Sequence, residues 1–495
     1  MNGKYKEMSK IETKTESSEF SFFRFDLVGF LKKPSIYYLI GGALNRIKIP
    51  IRFLQRQRFT RPIIRLALPE GSYSRKLLKG FLAEYIYKEK AISSNYTIIQ
   101  NMLFCGKKTK KKKVLVIPSW YPTVEKPLVG TFFRDQSNLM KDSFDVVVVF
   151  GEPYSRIRKS FQYTSGRIFD EKQSISFVYK DKFYYTEEHL LKQMVCGYEK
   201  VLLDLISKGW TPDLLHAHST VYGGIVASYL GQKYDIPVVI TEHQMFLLHN
   251  YSPLLRNKII EALGEADVVA AVSSDKKRAI LMHGIKCDPI VVGNLVDDDL
   301  FVIKKDTTKK NKKFEILIVA GSSYIKDLST FLKAIKSLKD RGIQNIHATI
   351  LGGGLWGNEK SDKLAESLGI ADICTFIDSV DREKMVDFYN NCDVFVSTSI
   401  AEGFQVSILE AMACGKPVVS TAHGGVEDIM SDENGILVPV RDYRAVADGI
   451  IAIKQRAKIF NPQRIRKIVV DSYGRRAFNT RTANIYKNLI ENNDR

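Results

Sequence analysis

The sequence has few cysteines and no long apolar run. Its six cysteines in 495 residues stand singly, without a C-x-x-C pair or the spacing of a metal site, which is typical of proteins whose thiols stay reduced in the cytosol. No stretch approaches the roughly 20 apolar residues that a membrane span needs. The first 19 residues are polar and carry four acidic groups, unlike a secretory signal peptide. We therefore expect a cytoplasmic protein that can lie on a membrane but not cross it.

Positive charge is concentrated at one end of the chain. Of the net charge of +19, residues 1–113 supply +17, from 25 Lys and Arg against 8 Asp and Glu, whereas the other 382 residues hold 49 against 47. Apolar residues recur at helical spacing between Leu77 and Ile86, with basic residues around them, as in a basic amphipathic helix. We expect this extension to bind the anionic inner face of the cell membrane. A protein-docking or self-packing domain is the alternative, and no recognised nucleic-acid module is present.

From residue 114 onward, two series of short apolar runs alternate with amphipathic stretches. Continuous apolar runs are typical of parallel strands buried on both faces, and their alternation with helices predicts doubly wound α/β sheets. The runs are 114–118, 146–150, 214–217, 237–241 and 268–272, and then 314–320, 346–351, 373–377, 394–397 and 417–420.

These series predict two Rossmann-like domains facing across a cleft. The first covers 114–303 and the second covers 314–470. A polar linker, 304–313, joins them, and a C-terminal helix lies within 471–495. Ligands of such sheets bind at the carboxyl ends of the strands, so we expect the site there.

The stretch 401–425, AEGFQVSILEAMACGKPVVSTAHGG, contains the most informative pattern. Glu402 follows a predicted strand, and Glu410 lies on the short helix that comes next. The backbone N–H groups of Gly403, Phe404 and Gln405 lie at the start of that helix, where an anion is favoured. Amides for phosphate and carboxylates for hydroxyls suit a nucleotide sugar, although two ordinary surface acids would show the same spacing.

This stretch resembles the E-x7-E signature of the retaining glycosyltransferases of family 4, which have the GT-B fold. Four other segments resemble family motifs in the same order: IPSWYPTVEKPLVGTFFRDQ at 117–136, DLLHAHS at 213–219, NLVD at 294–297 and NGILVP at 434–439. The resemblance covers 114 to about 490 and has no counterpart for 1–113. It implies a hexosyltransferase that moves a sugar from a UDP- or GDP-linked donor to a glycan or lipid-linked acceptor, in the synthesis of a cell-surface polysaccharide or glycolipid.

The resemblance also implies that 114–303 forms the acceptor side and that 314–470 binds the nucleotide sugar, and it implies roles for individual residues. Glu402 and His218 would face the reacting sugar, and Lys326 would grip the diphosphate. Gly321 stands where the family usually has an arginine before this lysine. Either another basic group or Ser322 or Ser323 would compensate, or activity would be low. The residues implied to bind the donor are Glu410, Gly403, Phe404, Gln405, Gly130, Ser322 and Asn294.

The implied reaction needs no metal and no cofactor. Charge develops on the leaving diphosphate, and Lys326 and the loop amides can stabilise it. Because no nucleophile is evident, we expect a front-face reaction with retention, in which the leaving phosphate helps to deprotonate the acceptor. A sugar-nucleotide 2-epimerase is the enzymatic alternative, and a non-catalytic scaffold for an anionic polymer is the other.

Four further patterns have simpler interpretations. We expect the G-x-G-x-x-G run at 352–357 to form a structural turn beside the nucleotide, and the three acids at 297–299 to be solvated or to cap a helix. His216 and His218 face the same side of a strand but lack a third metal ligand. The pair Glu242 and His243 ends a strand at the cleft, where it either contacts a substrate or supports the structure.

Overall fold

The computed structural model describes residues 110–493, except for 156, 158, 165–167, 169–173, 183, 305–312, 322, 354–357 and 379. The predicted amphipathic helix, nearly all of the basic extension, most of the linker and Ser322 lie outside the described residues. Of the glycine-rich run at 352–357, only the first two residues are described.

The first sheet contains eight strands in the order β3-β4-β2-β1-β5-β6-β7-β8. All its pairs are parallel except β3 with β4. Five of its strands coincide with predicted runs, whereas β3, β4 and β8 were not predicted. Their bounds are β1 Lys113–Pro118, β2 Asp145–Tyr154, β3 Phe161–Thr164, β4 Ser174–Lys180, β5 Leu214–His218, β6 Val238–Glu242, β7 Val268–Ala271 and β8 Ile290–Val291.

The second sheet contains six parallel strands in the order β11-β10-β9-β12-β13-β14. Numbered within the sheet, this order is 3-2-1-4-5-6, that of a dinucleotide-binding fold. The order reverses between β9 and β12, which opens a crevice at their carboxyl ends. The bounds are β9 Phe314–Val319, β10 Ile346–Gly353, β11 Cys374–Asp378, β12 Val394–Ser397, β13 Val418–Thr421 and β14 Gly435–Val438.

Helices cover the sheets and begin at residues suited to that position. Ser252 and Asn461 accept hydrogen bonds from the first turns of the helices Pro253–Glu265 and Pro462–Tyr473, each of which has proline at its start, where the missing N–H is harmless. The helices are α1 Thr131–Met140, α2 Glu187–Ser207, α3 Ile225–Tyr234, α4 Pro253–Glu265, α5 Ser274–Met282, α6 Leu328–Asp340, α7 Asn358–Ser367, α8 Arg382–Asn391, α9 Val406–Ala413, α10 Tyr443–Gln455, α11 Pro462–Tyr473 and α12 Arg475–Asn493.

The last helix packs on the first sheet rather than on the second. Tyr486 and Ile490 of α12 are buried in one cluster with Val114 and Phe144, and the Tyr486 ring meets that of Phe144 edge-on at 5.2 Å. The predicted boundary at 470 falls inside α11, because the turn between the two last helices lies at Gly474. Among the described residues, no helix is both long and apolar enough to cross a bilayer.

Candidate active site

Lys326 and Glu402 meet at the crevice of the second sheet. Lys326 ends a short 3₁₀ turn after β9, and Glu402 lies in the loop after β12, which is the neighbouring strand. The Lys326 Nζ donates to Glu402 Oε1 at 2.6 Å. The Ser399 hydroxyl donates to the same oxygen at 2.9 Å. Both side chains are largely buried, with 27% and 18% of their surface exposed.

Glu410 lies deeper, on α9, and its carboxylate accepts a 2.8 Å hydrogen bond from the Tyr389 hydroxyl. The Arg382 guanidinium approaches it to 3.9 Å and also pairs with Asp135 of α1. Burial raises the pKa of Glu410 to about 7, while the charge of Arg382 lowers it. Glu410 therefore gains or loses its charge near neutral pH.

His218 lies at the corresponding crevice of the first sheet, where β1 and β5 are neighbours. The Ser119 N–H donates to its carbonyl at 3.0 Å. Its Nδ1 lies 3.1 Å from Nε2 of His243, and its ring stacks on Phe133 at 4.9 Å. Burial lowers the pKa of His218 well below its usual value, so the ring is neutral.

The three neighbouring histidines do not form a metal site. His216 contacts the Tyr486 hydroxyl at 2.5 Å and Thr241 at 2.8 Å, which leaves neither of its ring nitrogens for a metal. Within the described part of the chain, no group of three or more His, Cys, Asp or Glu residues has an arrangement that could hold a metal ion.

The loop after Glu402 packs closely against residues of the first half of the chain. The Gly403 carbonyl accepts from Ser273 at 3.0 Å, and a Cβ at Gly403 would lie 2.1 Å from the His243 carbonyl oxygen. In the described structure the backbone N–H groups of Gly403 and Phe404 donate no hydrogen bond. The side chain of Gln405 is used internally, because it accepts from Ser397 at 2.6 Å.

Two other predicted site residues have a clear structural role. Gly130 has a φ of 73° at the start of α1, and a Cβ there would lie 2.9 Å from Trp120, so a larger residue would be strained. Asn294 accepts from Gln136 at 3.0 Å and its amide is 3.4 Å from the Phe404 carbonyl. Asn294 thus links the first half of the chain to the loop that contains Gly403 and Phe404.

The structure settles how two acidic patterns are used. The Glu242 carboxylate accepts from the backbone and hydroxyl of Thr220 at 2.9 and 2.6 Å and from the Gln244 N–H at 2.8 Å, so it supports a turn. The three acids at 297–299 bind Arg475 and the turn that follows them. Neither pattern provides a free carboxylate pair for a metal.

Sequence reasoning missed three residues of the site. Arg382 and Tyr389 lie on α8, whose pattern shows only an amphipathic helix. His423 follows β13, and among the described residues neither of its ring nitrogens has a hydrogen-bond partner, although the side chain is 4% exposed. Burial lowers the pKa of His423 to about 4. Its position just after a predicted strand was the one available signal.

Two family models match consecutive parts of the chain. The model for glycosyltransferase family 4 matches residues 164–300, and the model for glycosyl transferases group 1 matches 301–464. The chain belongs to glycosyltransferase family 4. The second sheet, the E-x7-E stretch and strands β4 to β8 of the first sheet lie within these matches, so the predicted family is confirmed.

The relatives of this chain are named for different glycosyltransferase activities. The D-inositol 3-phosphate glycosyltransferase of Geodermatophilus obscurus is 28% identical over half of this chain, and the match spans only 61% of that protein. The putative teichuronic acid biosynthesis glycosyltransferase TuaC of Bacillus subtilis is 25% identical over 71% of this chain and 91% of its own length.

Solved structures show the same fold. The sucrose-phosphate synthase of Thermosynechococcus elongatus superposes with a TM-score of 0.61 at 18% identity, over 77% of this chain and all of its own. Anabaena HepE in complex with UDP and glucose gives 0.59 at 18% identity, over 76% of this chain and 99% of its own. The predicted GT-B architecture, with two parallel-sheet α/β domains, is thereby confirmed.

Proposed function

We propose that this protein transfers a sugar from a UDP- or GDP-linked donor to a glycan or lipid-linked acceptor, with retention and without a metal. The observation that carries the proposal is the meeting of Lys326 and Glu402 at the crevice of the second sheet, beside unused N–H groups. A cation and backbone amides suit a diphosphate, and carboxylates suit the hydroxyls of a sugar and a ribose.

The reaction is a substitution at the anomeric carbon. The bond to the diphosphate oxygen breaks while a bond to the acceptor hydroxyl oxygen forms on the same face, and the acceptor proton passes to the leaving phosphate. Lys326 and the amides of Gly403 and Phe404 stabilise the charge on that phosphate. Glu402 faces the donor sugar, Glu410 holds the ribose, and the buried His423 is available for a sugar hydroxyl.

The domains supply complementary parts of this site. Residues 314–470 hold the donor, and His218 at the carboxyl end of β5 faces the reacting sugar from the acceptor side. Gly130 lets the loop before α1 approach the phosphates. Asn294 holds α1 in position against the loop that contains Gly403 and Phe404. Ser322, outside the described residues, is the remaining proposed phosphate ligand.

The place of action is proposed from charge. The basic extension at 1–113 carries +17, and each surface Lys or Arg contributes about 1 kcal/mol to binding an anionic membrane. This would hold the enzyme at the inner face of the cell membrane, where lipid-linked acceptors occur. The name of the B. subtilis relative, which refers to teichuronic acid biosynthesis, supports a role in making a cell-surface polysaccharide.

Donor hydrolysis and transfer test the proposal. The full-length protein is incubated with UDP-, GDP- and ADP-sugars, with and without a chelator, and product configuration is followed by NMR. We expect one nucleotide class to be hydrolysed slowly without acceptor, transfer to continue with chelator, and the anomeric configuration to be kept. An inverted product would refute retention. An epimerised donor formed without acceptor would identify an epimerase, and no binding of any donor would favour a scaffold.

A further inference from the structure

A pocket of about 240 Å³ opens at the carboxyl ends of β1, β2 and β4, and α2 forms its other wall. Its aromatic lining includes Trp120, Phe150, Tyr179, Tyr198 and Tyr222. The pocket is therefore large enough for a small ligand such as one sugar ring.

One wall of the pocket is fixed by close packing. The Phe177 ring lies behind it, 4.8 Å from the ring of Tyr198 and 6.3 Å from that of Tyr179. A Cβ at Gly151 would lie 2.3 Å from Phe177, and the Gly151 N–H donates to the Tyr198 hydroxyl at 2.9 Å. Rings held in this way lose little freedom when a ligand binds.

The opposite side is formed by a tyrosine on a strained backbone. Tyr222 has a φ of 71°, and Ser219 before it has a φ of 66°, a region that side chains other than glycine seldom adopt. The Ser119 hydroxyl holds this turn by donating to the Ser219 carbonyl at 2.9 Å and the Val221 carbonyl at 2.5 Å. Such strain is concentrated at functional sites, and here it leaves Tyr222 42% exposed beside the pocket.

The charges of the lining distinguish between kinds of acceptor. Among the described lining residues, Lys126 is the sole cation and Glu152 the sole anion. A phosphorylated ligand is usually bound by arginine or by several cations. Aromatic faces stack on the C–H faces of sugar rings, whereas a carboxylate and phenol hydroxyls bind sugar hydroxyls. The lining therefore matches an uncharged sugar.

Ring contacts connect the pocket to His218 of the candidate active site. The Trp120 ring lies 5.1 Å from that of Phe133, which stacks on His218 at 4.9 Å. Ser119, also in the lining, donates through its N–H to the His218 carbonyl. A sugar held against Trp120 would therefore be separated from His218 by the rings of Trp120 and Phe133.

We propose that this pocket binds an uncharged pyranose ring of the acceptor, stacked against Tyr222 and Trp120, and that it discriminates against phosphorylated acceptors. The inference rests on the proposed transferase function and adds the acceptor class. It distinguishes this chain from the G. obscurus relative, whose name states an inositol phosphate as substrate.

Binding without a donor tests the inference. Full-length protein is titrated with methyl glucoside, methyl galactoside and methyl N-acetylglucosaminide, and with glucose 6-phosphate and octyl glucoside. Saturation-transfer NMR reports contact with ring protons, and tryptophan fluorescence reports changes near Trp120. We expect at least one neutral glycoside to bind at least tenfold more tightly than glucose 6-phosphate. We also expect methyl glucoside and octyl glucoside to bind with similar affinity.

Variants localise the binding. Tyr222→Ala should weaken it at least tenfold, whereas Tyr229→Ala, at an equally exposed tyrosine on α3, should not change it. Leu190→Trp, which fills the pocket from α2, should abolish it without altering the Tyr222 turn. Equal effects of the two tyrosine variants, tighter phosphate binding, or binding that depends only on the octyl chain would overturn the inference. Donor hydrolysis, measured separately, reports on the transferase proposal alone.

Discussion

The Lys326 ammonium and the Glu402 carboxylate form a 2.6 Å ion pair between residues 76 apart in the chain. In the absence of donor, each neutralises the other. A diphosphate would share the charge of Lys326, which leaves Glu402 free to turn to the sugar.

Replacing the lysine should impair transfer more than binding. We expect Lys326→Gln to lower kcat by about 10²–10³, the usual effect of losing one donor to a developing negative charge. Lys336→Gln, at an exposed lysine paired with Asp340, should stay within twofold of the parent. A Lys326→Gln enzyme that keeps more than a tenth of kcat would contradict the assigned role.

Donor binding should depend on the ionisation of Glu410. Burial raises its pKa to about 7, with Asp135 and Asp297 acting in the same direction and Arg382 and Tyr389 opposing it. Because the carboxylate is the form that accepts ribose hydroxyls best, kcat/KM should fall below about pH 7.

Two variants should move this limb of the pH profile in opposite directions. Arg382→Gln removes a cation and should shift the limb to higher pH, so that its activity approaches that of the parent only in alkaline solution. Asp135→Asn removes an anion and should shift it to lower pH. Unchanged limbs in both variants would exclude Glu410 as the titrating group.

An arginine at 321 should improve donor binding. Among the described residues, the nearest atom to a Cβ placed at Gly321 is the Gly352 carbonyl oxygen at 3.4 Å, so a Cβ fits there in ordinary van der Waals contact. A charge-assisted hydrogen bond contributes about 1.5–3 kcal/mol, and we expect Gly321→Arg to lower the donor KM about tenfold. Gly321→Gln, which adds bulk without charge, is the control, and equal effects of both would rule out a missing phosphate cation.

A methyl group at position 403 should prevent the loop after Glu402 from packing against His243. Its Cβ would collide with the His243 carbonyl oxygen at 2.1 Å, so we expect Gly403→Ala to lose most transfer activity. Gly264→Ala, in α4 with open space around it, should keep activity and add about 0.5–1 kcal/mol of stability. Activity is measured beside thermal unfolding, and full activity in Gly403→Ala would refute the close approach.

The buried histidines should make the fold sensitive to acid. Burial lowers the pKa values of His216 and His243 to about 3, whereas the unfolded chain binds protons near pH 6.5. The unfolded state therefore binds more protons below pH 6.5, and the free energy of unfolding should fall there by up to about 1.4 kcal/mol per pH unit for each histidine. Urea unfolding between pH 7 and 5 measures this slope.

Substitution should identify the source of that slope. His216→Gln should make the pH dependence less steep, because His243 still contributes, whereas His249→Gln, at an exposed position, should leave it unchanged. The same slope in all three proteins would show that His216 is not responsible.

The sequence alone determined the strands that build both crevices and most of the residues at their ends. Burial on both faces leaves a continuous apolar run, and Lys326, Glu402 and His218 each follow such a run. Short strands such as β3 and β8 leave no such signal, because partial exposure breaks the run.

Only the tertiary structure decided which of these ends meet. The pairing of β9 with β12 brings Lys326 to Glu402, and α8 brings Arg382 between Glu410 and Asp135. The tertiary structure alone also decided that α12 packs on the first sheet and that the turn at Ser219 directs Tyr222 to the pocket. Local patterns record how deeply a residue is buried, whereas its neighbours depend on strand order and on crossings between distant segments, which no local spacing encodes.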